Sequence, residues 1–141
     1  MLISLHMPKT AGSSFLASLR QHYGASLMTD YGDRPINHRG LTRNAHTIGA
    51  AAWHGVSAGR FHGIDCIHGH FMPLKYTALA WRRSTRFITW LRDPIERLGS
   101  HYHYWKRHYN PHDAGKLHRR VVEEEWSLER FCLGPESVSY T

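Results

Sequence analysis

Two short apolar runs that stop at polar loops constrain the fold of this chain most. Leu2–Leu5 ends at His6, and the β-branched and aromatic run Thr85–Leu91 ends at Arg92. Each run is followed by apolar residues at helical spacing, so both places show the order strand, loop, helix. This alternation predicts an α/β domain with a central parallel sheet, in which ligands bind beyond the carboxyl ends of the strands.

Both helices that follow these runs carry start signals. Before the first helix, Ser13 or Ser14 is available as an N-cap residue. Before the second helix, Asp93 is the predicted N-cap and Pro94 occupies the first helical position. Glu96 is placed to reach back to the cap, as in a capping box.

The remaining segments are less strongly patterned. Ile64–His68 is a further short strand by its apolar residues. Residues 25–62 are rich in Gly, His, Arg and Asn, so we expect loops there, with one or two helical turns in the Ala-rich stretch Gly49–Trp53. Apolar spacing and composition predict further helices in three segments: Leu74–Arg82, Lys116–Glu125 and Ser127–Leu133.

Composition limits the classes of partner. Eighteen Lys and Arg against 11 Asp and Glu give a net charge of +7, which suits a polyanion such as a nucleotide, a nucleic acid or an acidic glycan. Cys66 and Cys132 stand far apart, which indicates neither a disulfide framework nor a cysteine zinc site. A length of 141 residues predicts one domain, residues 1–141.

The apolar segments are all short. None approaches the roughly 20 residues that a membrane-spanning helix needs. The first residues also lack the basic and apolar pattern of a signal peptide. We therefore expect a cytoplasmic protein with no membrane partner.

The loop after the first apolar run has the composition of an anion-binding site. Backbone N–H groups at the start of a helix, two hydroxyls and one lysine can enclose a phosphate or a sulfate. In a Walker A loop the lysine directly follows the second glycine, whereas here Lys9 precedes the loop's only glycine, Gly12. A site for a magnesium-bound nucleoside triphosphate is thus disfavoured. The alternative is an ordinary strand-to-helix turn with a solvated lysine.

A second pair of residues can hold an anion after the later apolar run. Arg92 ends the run, and Ser100 lies on the helix that follows it. Both can reach one anionic group if the helix turns back beside the strand end. Alternatively, Arg92 pairs with Asp93 or Glu96, and Ser100 is only a small residue at a helix contact.

A third motif is His68-Gly69-His70, which follows a short strand. In an extended segment both imidazoles point the same way, as in a pair of metal ligands. A histidine beside an activated donor can instead act as a general base. Two ordinary polar histidines are the third possibility.

Taken together, three segments in this order resemble the motifs of the Golgi-type carbohydrate sulfotransferases. They are Ile3–Phe15, His68–His70 and Phe87–Trp105, and they are closest to the heparan sulfate 2-O-sulfotransferase branch and its bacterial relatives. Those enzymes take a sulfuryl group from 3′-phosphoadenosine 5′-phosphosulfate (PAPS). The resemblance implies an α/β, P-loop-like three-layer sandwich with a central parallel sheet flanked by helices. The family continues well beyond a length of 141 residues, so the resemblance implies a C-terminally partial domain.

The resemblance also implies roles for individual residues. Arg92 and Ser100 correspond to the residues that hold the 3′-phosphate of PAPS or of its product, adenosine 3′,5′-bisphosphate (PAP). His70 corresponds to the catalytic base, His68 to a supporting residue on the acceptor side, and Lys9 to a catalytic cation. The 5′-phosphosulfate corresponds to the loop Lys9, Thr10, Ala11, Gly12, Ser13 and Ser14.

The implied partner is a hydroxylated acceptor, a glycan or a small metabolite, with no metal and no nucleic acid. Two other functions fit the same sequence. A nucleotide kinase or NTPase is suggested by the apolar run ending near Asp93, which faintly resembles a Walker B strand. A basic anion- or glycan-binding module without catalysis would explain the charge and the short chain.

Overall fold

The structure, a computed structural model, describes residues 1–33, 40–81 and 83–135. Contacts divide the chain into two compact units, Met1–Leu91 and Arg92–Thr141. The expectation of a single domain over residues 1–141 stays a prediction. No helix in the described ranges is both long and apolar enough to cross a membrane.

A four-stranded, all-parallel sheet forms the centre of the first unit. The strand order is β2-β3-β1-β4. The strands are β1 (Leu2–Leu5), β2 (Leu27–Asp30), β3 (Cys66–Gly69) and β4 (Arg86–Thr89). This confirms the prediction of an α/β fold with a parallel sheet. The strands predicted from the apolar runs are present, with β3 beginning two residues later and β4 shorter than expected.

Helices cover the sheet of the first unit. They are α1 (Gly12–Tyr23), α2 (Gly40–Val56) and α3 (Thr77–Ala80). The helix expected over Leu74–Arg82 is a 3₁₀ turn, Pro73–Tyr76, that continues into α3, and residue 82 lies outside the described ranges.

The expectation of loops over residues 25–62 is wrong, because this segment contains β2 and α2, and its residues 34–39 lie outside the described ranges. The helical turns expected at Gly49–Trp53 are confirmed as part of α2. The sequence of α2 includes Gly40, Gly49 and Gly55, and glycine is unfavourable within a helix. This helix is stabilised instead by packing against α3 and the turn before it. Tertiary contacts thus override a weak local preference.

The two faces of the sheet are packed differently. On one face Ile3 and Ile67 are fully buried in a cluster with Phe61, Tyr76 and Leu79. On the other face, which carries the alternate residues of each strand, the ring of Phe15 in α1 lies 5.8 Å from the imidazole of His68, centroid to centroid. Helical elements on both faces are compatible with a three-layer sandwich.

The register of the strands aligns the residues that follow them. Leu5 is paired with Gly69 and Gly69 with Asp30, so β1, β3 and β2 end side by side. The next residues, His6, His70 and Tyr31, therefore meet at one edge of the sheet. Strand pairing therefore places these three residues beside the loop that follows β1.

The second unit is a small helical assembly. It contains α4 (Pro94–Arg107), α5 (Lys116–Glu123) and α6 (Leu128–Leu133), so all three helices expected there are confirmed. Ile95, an apolar residue in the first turn of α4, is 76% exposed. The buried residues of the unit are Tyr102, Trp105, Val121, Trp126 and Phe131.

Asp93 caps α4 as predicted. Its Oδ1 accepts hydrogen bonds from the backbone N–H groups of Ile95 and Glu96, each at 3.0 Å. Glu96, predicted to reach back to the cap, forms an ion pair with Arg92, with 3.3 Å between Oε2 and Nε.

We expect Asp93→Ala to lower the free energy of unfolding by about 0.5 to 2 kcal/mol, because two N–H groups at the helix start lose their acceptor. Asp93→Asn is the matched control, since asparagine keeps the acceptor oxygen and caps equally well. Denaturant titrations of the three proteins measure the difference. Equal losses in both variants would show that the charge, and not the cap, stabilises the helix.

Candidate functional site

The loop after β1 has an unusual backbone. Lys9 has a φ of 67° and Ala11 a φ of 62°, both in the left-handed region that non-glycine residues rarely adopt. Each such residue costs about 1 to 3 kcal/mol and persists only where the surrounding structure imposes it. Ala11 is the N-cap residue of α1, so the prediction that Ser13 or Ser14 caps this helix is wrong. Strained turns of this kind cluster at ligand-binding sites.

The side chains of the loop differ in burial. Thr10 is buried, and its Oγ1 donates to the carbonyl oxygen of Met7 at 2.7 Å, which closes the turn. Ser13 and Ser14 lie exposed in the first turn of α1, and Lys9 is half-buried. The start of a helix with its N–H groups and a nearby cation is a general anion-binding arrangement.

His6 lies directly against this loop. A Cβ atom built on Gly12 would stand 1.7 Å from His6 Nε2 and 2.0 Å from Cε1, so the imidazole fills the space that any side chain would need. His6 belongs to the motif Ile3–Phe15, but no role for it was predicted from the sequence. Its neighbours across the sheet depend on the strand order, which the sequence does not state directly.

His70 is joined to the loop through His6. Its Nε2 lies 3.0 Å from His6 Nδ1, and the hydroxyl of Tyr31 lies 3.3 Å from the same Nδ1. Burial, followed by the charge of His6, lowers the pKa of His70 to about 4. Burial also lowers the pKa of His6. Both imidazoles are therefore neutral at pH 7, which leaves His70 able to accept a proton.

His68 has a different environment from that of His70. It is 1% exposed, and its Nδ1 lies 2.7 Å from Ser4 Oγ, its partner in the β1–β3 register. Its ring stacks on His6 at an interplanar angle of 16°. This side chain is shielded from solvent and packs beneath His6. The role implied for His68 on the acceptor side stays a prediction.

Burial, followed by the charges of His6 and His70, lowers the pKa of His68 to about 4. Its Nε2 is buried, and no hydrogen-bond partner for it is present among the described residues. Both facts favour a neutral ring. His68 therefore packs beneath His6 without bringing a charge to the cluster.

A buried ionic network fixes the backbone beside His70. Lys75 is 7% exposed, and its Nζ donates to Asp30 Oδ2 at 2.6 Å and to Asp33 Oδ1 at 2.7 Å. Tyr76 donates its hydroxyl to the same Asp30 oxygen at 2.8 Å, and its pKa is raised by burial and by that bond. The backbone carbonyl of Asp30 accepts from the N–H of His70 at 2.8 Å. Sequence reasoning missed this network, because its members are about 45 residues apart and follow no motif.

Gly69 allows the strands to approach each other at this point. A Cβ on Gly69 would stand 1.7 Å from the backbone oxygen of Asp30. The glycine between the two histidines is therefore required by the contact of β3 with β2. It sets the position from which His70 leaves the sheet.

The second unit contains a basic cleft. Arg92 and Ser100, the pair predicted to share an anion, line one cleft of about 540 Å³. The other lining residues are His103, Lys106 and Arg107. Among the described residues, the lining contains three permanent cations and no carboxylate. The alternative for Arg92 is also realised, since its Nε pairs with Glu96, but both side chains are largely exposed and such pairs are weak.

The sequence-predicted residues thus fall into two groups. Lys9–Ser14 and His70 lie in the first unit, linked by His6, and Arg92 and Ser100 lie together in the second unit. Within residues 1–33, 40–81 and 83–135, no three His, Cys, Asp or Glu side chains are arranged to hold a metal ion.

Comparisons with known proteins identify no relative of this chain. No family model matches the chain, and neither the curated proteins nor the solved structures give a match. The family resemblance therefore depends on the residues of the three motifs.

The contact of Gly12 with His6 makes a testable prediction. We expect Gly12→Ala to force the His6 ring away from the loop, because the new methyl group would overlap it, and to reduce binding of PAP. Gly49→Ala in α2 is the matched control, since a Cβ there meets nothing within 4 Å. It should stabilise the protein by up to about 1 kcal/mol. Thermal unfolding and calorimetry with PAP check both variants, and unchanged PAP binding in Gly12→Ala would contradict the account.

Proposed function

We propose that this chain is a PAPS-dependent sulfotransferase, with a P-loop-like first unit, that transfers a sulfuryl group to the hydroxyl of a carbohydrate or a small metabolite. One observation carries the proposal. A strained anion-binding loop and a neutral histidine lie at the same edge of a parallel sheet, connected through His6. Anion binding and proton removal are the two tasks that such a transfer requires.

The loop suits the 5′-phosphosulfate. Lys9 brings a positive charge, and the first N–H groups of α1, beginning near Gly12, are donors without partners inside the helix. Together they would stabilise the charge that builds on the bridging oxygen as the bond to sulfur breaks. The exposed hydroxyls of Ser13 and Ser14 offer further donors in the same turn.

The basic cleft suits the 3′-phosphate. Arg92 can offer a forked guanidinium and Ser100 a hydroxyl, which is the combination used for phosphate recognition. A phosphate dianion competes well with the exposed Glu96 for Arg92, since surface pairs contribute only about 0 to 1 kcal/mol. Through these contacts the cleft would distinguish PAPS from a donor without a 3′-phosphate.

The reaction is an in-line transfer. The acceptor oxygen forms a bond to sulfur while the bond from sulfur to the bridging oxygen breaks, and PAP leaves as the product. The acceptor proton passes to His70. By analogy with phosphoryl transfer, the transition state is loose, so positioning and electrostatics supply most of the acceleration. A base with a pKa of about 4 takes the proton late, when bond formation to sulfur has made the hydroxyl acidic.

One observation favours a second candidate, a basic module that binds anions without catalysis. The cleft of Arg92, Ser100, His103, Lys106 and Arg107 would bind a polyanionic glycan equally well. Such a module would need neither His70 nor the strained loop. The kinase or NTPase alternative is not favoured, since Lys9 precedes Gly12 in the loop.

A transfer assay tests the proposal. The chain is incubated with PAPS and a panel of hydroxylated glycans and small metabolites, and mass spectrometry detects products heavier by one sulfuryl group. We expect a product that forms equally well when magnesium is chelated. Hydrolysis of ATP that depends on magnesium would favour the NTPase, and glycan binding without any transfer would favour the binding module.

A further inference from the structure

The contacts of His6 suggest a role that the motifs do not assign. Its Nδ1 faces two groups at once, His70 Nε2 at 3.0 Å and the hydroxyl of Tyr31 at 3.3 Å. Its Nε2 lies against Gly12 in the loop. One side chain thus touches both the anion-binding loop and the histidine expected to remove a proton.

The 3.0 Å contact between two neutral imidazoles allows two proton arrangements. If His6 Nδ1 carries the hydrogen, His70 Nε2 accepts it, and the single hydrogen of His70 must sit on Nδ1. Neither nitrogen of His70 then has a lone pair available for an acceptor proton. If His70 Nε2 carries the hydrogen instead, His6 Nδ1 accepts it, and His70 Nδ1 keeps its lone pair. Only the second arrangement makes His70 a base.

The loop side of His6 favours the second arrangement. The Tyr31 hydroxyl can donate to His6 Nδ1 or accept from it, so its 3.3 Å contact is compatible with either arrangement. In the second arrangement His6 Nε2 carries a hydrogen and presents it at Gly12, where an anion would lie. In the first arrangement a lone pair would face that anion.

We propose that His6 is the positioning residue of His70: it accepts the Nε2–H of His70 at its own Nδ1, which fixes the tautomer that leaves His70 Nδ1 free to remove a proton, and it directs its Nε2–H to the loop. The role of His70 as a base and the choice of proton arrangement rest on the proposed function, whereas the contact between His6 and His70 does not. Stacking on His68 at a centroid distance of 5.4 Å holds the ring in this orientation. The arrangement corresponds to that of a catalytic triad, in which the third residue orients the histidine and selects its tautomer.

The tautomers are measured directly in the unmutated full chain. Long-range proton–nitrogen correlation spectra show which ring nitrogen carries the hydrogen. We expect both His6 and His70 to carry their hydrogen on Nε2, with Nδ1 unprotonated in each ring. Hydrogen on Nδ1 of His70 would overturn the proposal, whatever the activity of the chain.

Two substitutions separate positioning from packing. His6→Asn can place its Oδ1 near the former Nδ1 and keep an acceptor, whereas His6→Leu keeps bulk but offers none. We expect His6→Leu to lower kcat roughly 10- to 100-fold, as for other residues that orient a histidine. His6→Asn should recover most of that loss and restore the Nε2–H tautomer of His70.

The outcomes also separate this inference from the proposed function. Equal losses of kcat in the two variants, with both folded, would overturn the positioning role. The expected tautomers in a chain that transfers no sulfuryl group would overturn the proposed function and leave the coupling of His6 and His70 intact.

Discussion

His70→Ala is expected to lower the turnover of sulfuryl transfer by roughly 10² to 10⁴, the usual contribution of a positioned general base, while PAP binds with unchanged affinity. The reason is geometric. His70 Nε2 contacts His6, which lies against the loop, so we expect its loss to remove a proton acceptor and to leave the backbone donors of the loop in place. Initial rates with saturating PAPS and calorimetry with PAP measure the two effects separately.

His62→Ala is the matched control, since His62 is an exposed imidazole of the same unit. It should leave both turnover and PAP affinity unchanged. If His70→Ala instead loses stability and PAP affinity together, His70 only supports the loop. Full activity in His70→Ala would remove it from the mechanism, and Lys9 would be the next candidate.

The pH dependence follows from the burial of His70. From its ordinary value alone we would expect the rate to rise through an apparent pKa near 6 to 7. Burial, and the charge of His6 beside it, lower the pKa to about 4, so the neutral form persists well below pH 6. The rate should be insensitive to His70 protonation near neutrality and fall as the pH drops through about 4. Tyr31, His6 and His68 are the other titratable groups around it.

The free energy of unfolding, like the rate, is expected to fall as the pH is lowered. In the unfolded chain a histidine titrates near 6.5, whereas His68 and His70 titrate near 4 in the fold. The unfolded state therefore binds more protons between these values, and the free energy of unfolding falls as the pH is lowered from about 6.5 to 4. This loss accompanies any loss of rate, so rates are compared with folded fractions at each pH.

Arg92→Ala is expected to weaken PAP binding by about 1.5 to 3 kcal/mol, the usual contribution of a hydrogen bond to a charged group. AMP, which has no 3′-phosphate, should bind to this variant and to the unmutated chain alike. Arg119→Ala is the matched control, because it removes one positive charge from the same unit outside the cleft. An equal loss of PAP affinity in both variants would show that Arg92 acts only through the net charge of the unit.

Glu96 offers an independent test of the same assignment. Glu96→Gln removes the carboxylate that pairs with Arg92 at 3.3 Å. Because this pair competes with the phosphate, PAP should bind slightly more tightly to the variant. Weaker PAP binding in Glu96→Gln would show that the pair holds Arg92 in place.

The sequence predicted the sheet and the helices where patterns are local and strong. The apolar run Leu2–Leu5 and the Asp93-Pro94 start of α4 each appear as expected. The segment of β2 and α2 was missed because its helix depends on packing and contains several glycines. The helix propensities of its residues carry no information about the packing that stabilises α2.

The candidate site shows the same division. Roles for His70 and the loop residues were predicted from motifs, but none was predicted for the connecting His6, because its contact with His70 depends on β1 lying beside β3. The burial that lowers the pKa of His70 also depends on neighbours that are distant in sequence. Likewise, no sequence motif predicted the ion pair between Lys75 and Asp30, which are close only in the folded chain. Side chains that come together across strands follow from topology, which a single sequence specifies only indirectly.

Calorimetric titration of the unmutated chain with PAP and with AMP tests most directly the proposed recognition of a nucleotide by two phosphates. The two ligands share the adenosine and the 5′-phosphate and differ only at the 3′ position. The account predicts that PAP binds more tightly than AMP, by the margin that Arg92→Ala removes. Equal affinity for PAP and AMP would contradict the assignment of Arg92 and Ser100, and with it the proposed donor.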